Sequence, residues 1–444
     1  MKMLLPTTQK SVRGMVLVTT VVIVITTVFY YKSLFTVAAN QKHDLVLPFP
    51  LLKLNINSES LTKYQLLNIT EPTKQCNEPR KLPEKKLVAI SASTPALNSE
   101  ACGSGSQECS YAFYLPLTAL SWHRLNFSVV VLIAGDDKPW KANGTHLNHV
   151  YNTLTGLGFV DVVFLKTSPD MQTGIAQIGR LFVADLAPYS SSPDTYLVTS
   201  DADLFPVTNI YDIPKDVFDI RFTNGFCCDP FPHKGESIGR SLFMLRFWLQ
   251  LLFPFSFTLA MVALSSIGMR ISTWHEVMKY RKYSNNLDSV KRIKETIMKE
   301  FGHLPINATR GANNEWFFDQ QLISIRLHHY FNTTGKLCRR SDFDIKDRTR
   351  WDRIAWPRHL TDKKQWLNAH DAHCPLPGHT LQNFIALHPL AQLLAGDKFD
   401  VAKYWYNYMK LIPTAVPSYD KVEEELGADN NDDRPLFLHQ PHKR

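Results

Sequence analysis

Asp201 and Asp203 are two aspartates separated by one residue, and they directly follow a short apolar run, Tyr196–Thr199. Carboxylates at positions i and i+2 of an extended chain point to the same side, so both can face one hard cation. Mg²⁺ or Mn²⁺ bound by one or two carboxylates keeps coordination positions open for phosphate oxygens. A solvated loop with two aspartates is the common alternative. The apolar run before the pair and Leu204–Pro206 after it favour a metal site.

Two further carboxylates, Glu315 and Asp319, lie four residues apart in the segment 313–322. Side chains at i and i+4 of an α-helix project from one face, so we expect both to face the same way. Glu315 has a structural alternative, because the helix dipole favours acidic residues in the first turn. Asp319 lies beside two glutamines on an otherwise apolar helix, and it is the stronger candidate of the two for a functional carboxylate.

Four apolar runs alternate with segments of helical periodicity ahead of these residues. The predicted strands are 87–90, 127–134, Val160–Leu165 and Tyr196–Thr199, and the predicted helices are 111–125, 146–157 and 175–186. Continuous apolar strands that alternate with helices predict a parallel sheet covered on both faces, which is a Rossmann-like α/β fold. Ligands bind such sheets at the carboxyl ends of the strands, where Asp201 and Asp203 stand.

The stretch 86–203 resembles the GT-A superfamily of glycosyltransferases in its first strand, in the helix that carries Arg180, and in the Tyr-Leu-Val-Thr-Ser-Asp-Ala-Asp-Leu run at 196–204. The resemblance implies a GT-A fold with a mostly parallel central sheet and a hexosyltransferase-type enzyme. It also implies a nucleotide-sugar donor and Mn²⁺ or Mg²⁺ as cofactor. Asp201 would lie near the sugar or ribose, and Asp203 would be the firmer metal ligand. Arg180 can reach ribose or phosphate, with an ordinary surface arginine as the alternative.

The segment 313–322 resembles the helix of many GT-A enzymes in which an acidic residue followed by glutamine faces donor sugar and acceptor. Asp319 or Glu315 would deprotonate an acceptor hydroxyl in an inverting reaction. In a retaining reaction the same residue would position the sugar. Further along, Trp351 and Trp356 form either an aromatic platform for the acceptor or part of the core.

Histidine supplies the third metal ligand in many GT-A enzymes, from a late position in the domain. We expect His388 in this role, because it ends an apolar, strand-like run and can point into a cleft. His370 and His373 are the other candidates, and their spacing allows them to bind a metal together. A structural or surface histidine is the alternative for each. Asp136 and Asp137 form another acidic pair that can contact a nucleoside base, although a solvated turn is the favoured interpretation.

Residues 14–31 carry no charge and are long enough to span a bilayer as a helix. Basic residues precede them, so the tail 1–13 should stay in the cytosol and the remainder should face the lumen. We therefore expect a single-pass type II Golgi membrane protein, with residues 32–85 as a stem. The alternative is a cleaved signal peptide, but the apolar run exceeds the roughly 7–15 residues of such a signal.

Beyond the stem we expect a nucleotide-sugar-binding half at 86–240 and an acceptor-binding half with a C-terminal tail at 268–444. Between them lies a strongly apolar segment, 241–267, flanked by stretches that have the look of polar loops, including 268–271. It can be a second span, a buried helix pair, a foreign insertion or a translated intron. A second span would separate Asp319 from Asp201 across the membrane, so we favour a membrane-associated or irregular insertion.

The composition narrows the possible classes of function. The chain has 444 residues, of which 44% are hydrophobic and 20% charged, the balance of a globular protein. Its net charge of +8 is spread among nearly as many acidic residues, so we do not expect nucleic-acid binding. Two competing hypotheses are a non-catalytic membrane protein with a degenerate transferase fold and a metal-dependent hydrolase of phosphate esters.

Overall fold

The structure is a computed structural model. It describes residues 83, 85–95, 107–209, 220–223, 228–232, 258–261, 267–280, 289–308, 314–334, 340–343, 350–353, 356, 366–412, 422 and 426. The predicted anchor 14–31, nearly all of the stem 32–85 and most of the segment 241–267 lie outside these residues. Within the described residues, no helix combines the length and apolar character needed to cross a membrane.

The described residues form the strands β1 (Lys86–Ser93), β2 (Ser128–Ala134), β3 (Val160–Leu165), β4 (Tyr196–Thr199), β5 (Leu204–Pro206), β6 (Ile220–Thr223), β7 (Cys228–Pro232), β8 (Thr258–Met261), β9 (Ile267–Arg270), β10 (Arg340–Phe343) and β11 (Asp371–His373). Seven of these form one central sheet, in the order β10-β6-β9-β4-β1-β2-β3. Strands β1 to β4 pair in parallel, which confirms the predicted α/β fold with a mostly parallel sheet.

Helices cover both faces of this sheet. They are α1 (Gln107–His123), α2 (Lys138–Lys141), α3 (His146–Gly156), α4 (Gln172–Gly179), α5 (Ala187–Ser190), α6 (Ile271–Met278), α7 (Ser289–Phe301), α8 (Phe318–Thr334), α9 (Leu381–Ala395) and α10 (Val401–Lys410). The helix predicted at 175–186 is two elements, because α4 passes at Gly179 into a tighter 3₁₀ helix, Arg180–Asp185.

The alternation of side chains along β2 shows why its sequence is apolar throughout. Val129, Val131 and Ile133 pack into a core with α1, α3, α9 and α10. Val130 and Leu132 face the opposite side and pack into a second core with α4, α6, α7 and α8. A strand buried on both faces needs no polar positions, so its sequence lacks the alternation of a half-exposed strand.

β9 joins the parallel strands to the far side of the sheet, where it runs antiparallel to both β4 and β6. The polar loop expected at 268–271 is therefore wrong. Ile267 and Met269 are buried, and Gly268 lies against the ring of Tyr196, so the short run is a strand with one glycine rather than a turn. Of the segment 241–267, Thr258–Met261 forms β8 and pairs with β7.

The apolar run that ends at His388 was expected to be a strand, and this is also wrong, because it belongs to α9. The buried large apolar residues of α9 are Phe384, Leu387, Leu390 and Leu394, which recur every three or four positions. That spacing is helical. The run before His388 alone is too short to show it, and the pattern emerges only when the residues after Pro389 are included.

Candidate active site

The loop after β4 holds Asp201 and Asp203 at the carboxyl edge of the sheet. Its backbone is fixed from three sides. Ser200 N donates to Ala89 O of β1 at 2.9 Å, the Thr118 hydroxyl of α1 donates to Ala202 O, and Cys374 N donates to Asp203 O at 2.8 Å. A loop held this firmly can present both carboxylates in a fixed geometry.

Strand β11 adds a histidine to the acidic pair. β11 pairs antiparallel with β5, and His373 stands opposite Leu204. Its Nε2 atom lies 3.4 Å from Oδ2 of Asp201. Ligand atoms of Asp201, Asp203 and His373 all lie within 4.8 Å of one another, a spacing that allows all three to bind one metal ion.

The other two candidate histidines lie elsewhere. His388, our expected ligand, is half-buried on α9, with its ring 5.5 Å from that of Phe384, and it is outside the cluster. Burial lowers the pKa of its imidazole. His370 is buried, with Nε2 3.2 Å from Oδ1 of Asp371, and it is not part of the cluster that contains His373. Of the three candidate histidines, His373 is the one whose ligand atom lies beside those of Asp201 and Asp203.

Arg180 connects the acidic loop to α8. Its guanidinium donates to Ser200 O at 2.8 Å, pairs with Asp201, and donates to Oδ2 of Asp319 at 2.9 Å. The side chain is only 6% exposed, so the alternative of an ordinary surface arginine does not hold. Burial alone raises the pKa of Asp201, but Arg180 and then His373 outweigh it, and the net pKa lies well below the usual value. Asp201 is therefore ionised at any physiological pH.

Asp319 lies in the first turn of α8, and Glu315 does not share its surroundings. Burial raises the pKa of Asp319, and the nearby Arg180 offsets part of that rise. Glu315 sits in a separate 3₁₀ turn, Asn314–Phe317, with Oε1 3.2 Å from Nε2 of His303. The expectation that both carboxylates project from one face of one α-helix is therefore wrong, because the chain winds as a 3₁₀ turn before Phe318.

Arg353 is a site residue that sequence reasoning missed. Its guanidinium lies 2.9 Å from Oδ2 of Asp203, and it hydrogen-bonds the hydroxyl of Tyr111. Burial lowers the pKa of Arg353, but Asp203 and then Tyr111 raise it, and the net pKa is above normal. The same segment carries Trp351 and Trp356, the two residues of the predicted acceptor platform. Of these, Trp356 packs into the core, so the interpretation of Trp356 as part of an open acceptor platform fails.

A cavity of about 460 Å³ opens beside these residues. This volume falls in the range of small-molecule pockets, roughly 300–1,000 Å³. Its walls include Ser93, Tyr111, Gln177, Trp316, Gln320 and Arg353, together with Asp201, Asp203 and Asp319. Among the residues that the structure describes, no donor reaches the buried Oε1 atoms of Gln177 and Gln320. Both side chains line the cavity.

Asp136 and Asp137 do not belong to this cavity. Asp137 pairs with Lys141 at 2.7 Å across the first turn of α2, and that contact lowers the pKa of Asp137 to about 2. The pair is the solvated turn favoured by the sequence.

The described residues therefore define an α/β protein with a candidate metal site and a polar cavity at the carboxyl edge of a mostly parallel sheet. No family model matches the chain, and no curated protein matches it. The solved glycosyltransferase GlyE of Streptococcus pneumoniae TIGR4 is similar at 11% identity and a TM-score of 0.31, over 75% of this chain and 66% of that chain. Mouse xyloside xylosyltransferase 1 in its apo form is similar at 11% identity and a TM-score of 0.28, over 66% of this chain and 98% of that chain. At these scores the likenesses carry no argument, and the site itself must support any function.

Proposed function

We propose that this chain is a metal-dependent glycosyltransferase that moves a sugar from a nucleotide-sugar to a glycan or protein acceptor. One observation carries the proposal: Asp201, Asp203 and His373 gather their ligand atoms within 4.8 Å at the rim of the cavity. Two carboxylates and an imidazole fit a transition ion such as Mn²⁺, and Mg²⁺ less well, because Mg²⁺ prefers oxygen ligands. A divalent ion bound there would neutralise the diphosphate of the departing nucleotide.

The remaining cavity residues have roles that follow from their contacts. Arg180 fixes the relative position of Asp201 and Asp319, and thereby of the donor loop and α8. Burial raises the pKa of the Asp319 carboxyl, and a raised pKa favours the exchange of a proton with a sugar hydroxyl. In an inverting reaction it would serve as the base, and in a retaining one it would position the sugar. Gln177 and Gln320 line the same cavity and would contact the bound donor.

The proposed location is the Golgi membrane, in single-pass type II orientation. It rests on the uncharged segment 14–31, on the basic residues before it, and on five Asn-X-Ser/Thr sequons on the side that the charges assign to the lumen. In this arrangement 32–85 is the stem, 86–240 binds the donor, and the acceptor half lies within 268–444.

A donor screen tests the function directly. The full chain, purified in detergent, is incubated with a panel of UDP- and GDP-sugars and Mn²⁺, and release of the nucleoside diphosphate is measured. We expect release from one donor class, abolished by a chelator and restored by Mn²⁺. Activity that survives the chelator would contradict a metal-dependent mechanism. Absence of any Mn²⁺-dependent nucleotide-sugar binding by calorimetry would instead favour the non-catalytic alternative.

The hydrolase alternative has less support from the site. A metal-dependent phosphate-ester hydrolase would need further carboxylate or histidine ligands near Asp201. In the part of the chain that the structure describes, the carboxylates and histidines that could hold a metal are limited to the one group of three. The neighbouring charged side chains are Asp319, which pairs with Arg180 and lies outside the cluster, and the two arginines Arg180 and Arg353, which suit an anionic ligand better than a second metal.

A further inference from the structure

Asp203 is shared by two positively charged partners, the metal ion of the candidate cluster and Arg353, and two cations beside one carboxylate repel each other. It contributes a ligand atom to the candidate metal cluster. Its side chain is only 2% exposed, and its Oδ2 atom lies 2.9 Å from Nη2 of Arg353. A carboxylate this buried needs a cation beside it, because an isolated buried charge is costly. In the structure that cation is a guanidinium.

The two arginines of the site are held very differently. Arg180 contacts a backbone carbonyl and two carboxylates on two elements, which fixes it in place. Arg353 pairs with Asp203 and Tyr111, its side chain is 18% exposed, and it lines the cavity. If Arg353 left Asp203, its guanidinium would face the space beside the metal ligands. That space is where the donor diphosphate would lie under the proposed function.

We propose that Arg353 and the metal ion compete for Asp203. Arg353 pairs with Asp203 until the ion binds, and it then binds the donor diphosphate. This inference rests on the proposed function. Asp203 exchanges one cation for another, and no buried carboxylate is left unpaired at either stage. Guanidinium groups bind phosphate oxygens well, so the displaced side chain gains a new partner.

The exchange couples the two ligands. Metal affinity is lowered by the fraction of molecules in which Arg353 holds Asp203. A diphosphate that binds Arg353 favours the arrangement in which Arg353 has left Asp203, so it raises the affinity for the metal. By linkage, the metal must raise the affinity for the diphosphate by the same factor. Arg353 thus has opposite effects on the two ligands, which a purely structural residue would not show.

The first measurement is the affinity for Mn²⁺ alone, from the loss of the free-ion electron paramagnetic resonance signal on titration of the full chain. Arg353→Gln should bind Mn²⁺ about ten- to a hundredfold more tightly than the wild type, the factor expected when one buried ion pair no longer competes with the metal. Arg353→Lys keeps the positive charge but pairs with a carboxylate in a poorer geometry, so its Mn²⁺ affinity should lie between those of the wild type and Arg353→Gln. It also provides the test if the glutamine variant folds poorly.

The matched control is Arg350→Gln. Arg350 forms a bidentate pair with Asp371 at 2.6 and 2.7 Å, three residues before Arg353, and Asp371 is as buried as Asp203 but lies outside the metal cluster. This variant should lose stability to heat without a gain in Mn²⁺ affinity. A gain equal to that of Arg353→Gln would show that general loosening, and not competition, is the cause.

The second measurement is the affinity for UDP and for GDP, tested separately at saturating Mn²⁺. For the nucleotide that the wild type binds, Arg353→Gln should bind at least about tenfold more weakly. Unchanged or weaker Mn²⁺ affinity in both Arg353 variants overturns the inference while leaving the proposed function standing. If the wild type and both variants bind neither Mn²⁺ nor nucleotide, the proposed function fails and the inference fails with it.

Discussion

Three carboxylates and two guanidinium groups share the rim of the cavity, and each carboxylate has a basic partner. Arg180 forms ion pairs with Asp201 and Asp319, and Arg353 forms an ion pair with Asp203. Buried charges are tolerated when they are paired, whereas removal of one partner leaves the other at a cost of about 3–5 kcal/mol. Substitutions at this site are therefore best made with isosteric residues, and each needs a test that separates ligand binding from folding.

The choice of histidine is the sharpest prediction at the scale of single residues. His373→Ala should weaken Mn²⁺ binding by about tenfold or more, because it removes one of three clustered ligand atoms. His388→Ala, on α9 and outside the cluster, should bind Mn²⁺ like the wild type. Calorimetry on the three proteins decides. The opposite order would restore His388 as the ligand and contradict the geometry of β11.

Asp319 allows metal binding and transfer to be separated. Asp319→Asn should leave Mn²⁺ affinity nearly unchanged, since Asp319 lies outside the ligand cluster. Transfer should fall by about 10²-fold or more, the usual contribution of a group that handles a proton in the reaction. Steady-state rates at saturating donor, beside a Mn²⁺ titration, give both values. A variant with full transfer activity would remove Asp319 from the mechanism.

At the scale of elements, the acidic loop is functional because strands far apart in sequence meet there. β4 brings Asp201 and Asp203 to the sheet edge, while β11 reaches the same point by pairing with β5. The antiparallel strand β9 closes the other side of β4. The contact between β9 and β4 is tight, because a Cβ atom at Gly268 would lie 2.5 Å from Cζ of Tyr196.

Gly268→Ala should therefore destabilise the fold by about 1–3 kcal/mol, the usual cost of overpacking in a core. Gly156→Ala at the end of α3 is the matched control, because a Cβ there meets no heavy atom within 4 Å. Alanine is also the better helix former, so the control should be neutral or up to about 1 kcal/mol more stable. Urea unfolding of the two variants measures both effects. Equal stabilities would mean that β9 does not pack against Tyr196.

The sequence predicted the elements that form from local signals, and it did not predict the contacts between residues far apart in the chain. β1 to β4 and the three longer helices between them, α1, α3 and α4, were predictable, because apolar runs and helical periodicity are local signals. Asp201 and Asp203 were named from their place at a strand end, and Arg180 and Asp319 from the predicted helices that carry them. His373 could be named as a candidate but not selected, because its contact with Asp201 joins residues 172 positions apart. Arg353 gave no local signal at all.

At the scale of the whole molecule, two cores pack on opposite faces of one sheet, and the site lies at the carboxyl edge of that sheet. One of these cores contains a buried histidine, His146, beside His379 and Tyr408. Burial, with His379 adding to it, lowers the pKa of His146 to about 4. The imidazole is therefore neutral in the folded protein at pH values at which it is charged in the unfolded chain.

The sign of the pH dependence follows from that lowered pKa. As the pH falls from 7 to 5, the unfolded chain takes up a proton at His146, with a usual pKa of about 6.5, while the folded protein does not. This group alone should reduce the free energy of unfolding by about 2 kcal/mol over that interval. Between pH 7 and pH 5, the free energy of unfolding of His146→Gln should fall by about 2 kcal/mol less than that of the wild type. His329 is exposed, and His329→Gln should lose as much stability as the wild type. Equal losses in all three proteins would contradict the shift.

The central claim, a divalent ion bound by Asp201, Asp203 and His373, is tested most directly by anomalous diffraction. Crystals of the protein grown with Mn²⁺ and UDP or GDP would be measured near the manganese absorption edge. We predict one anomalous peak about 2.0–2.3 Å from a carboxylate oxygen of each aspartate and from a nitrogen of His373. A fully ordered site with no peak, or a peak bound by other residues, would contradict the account.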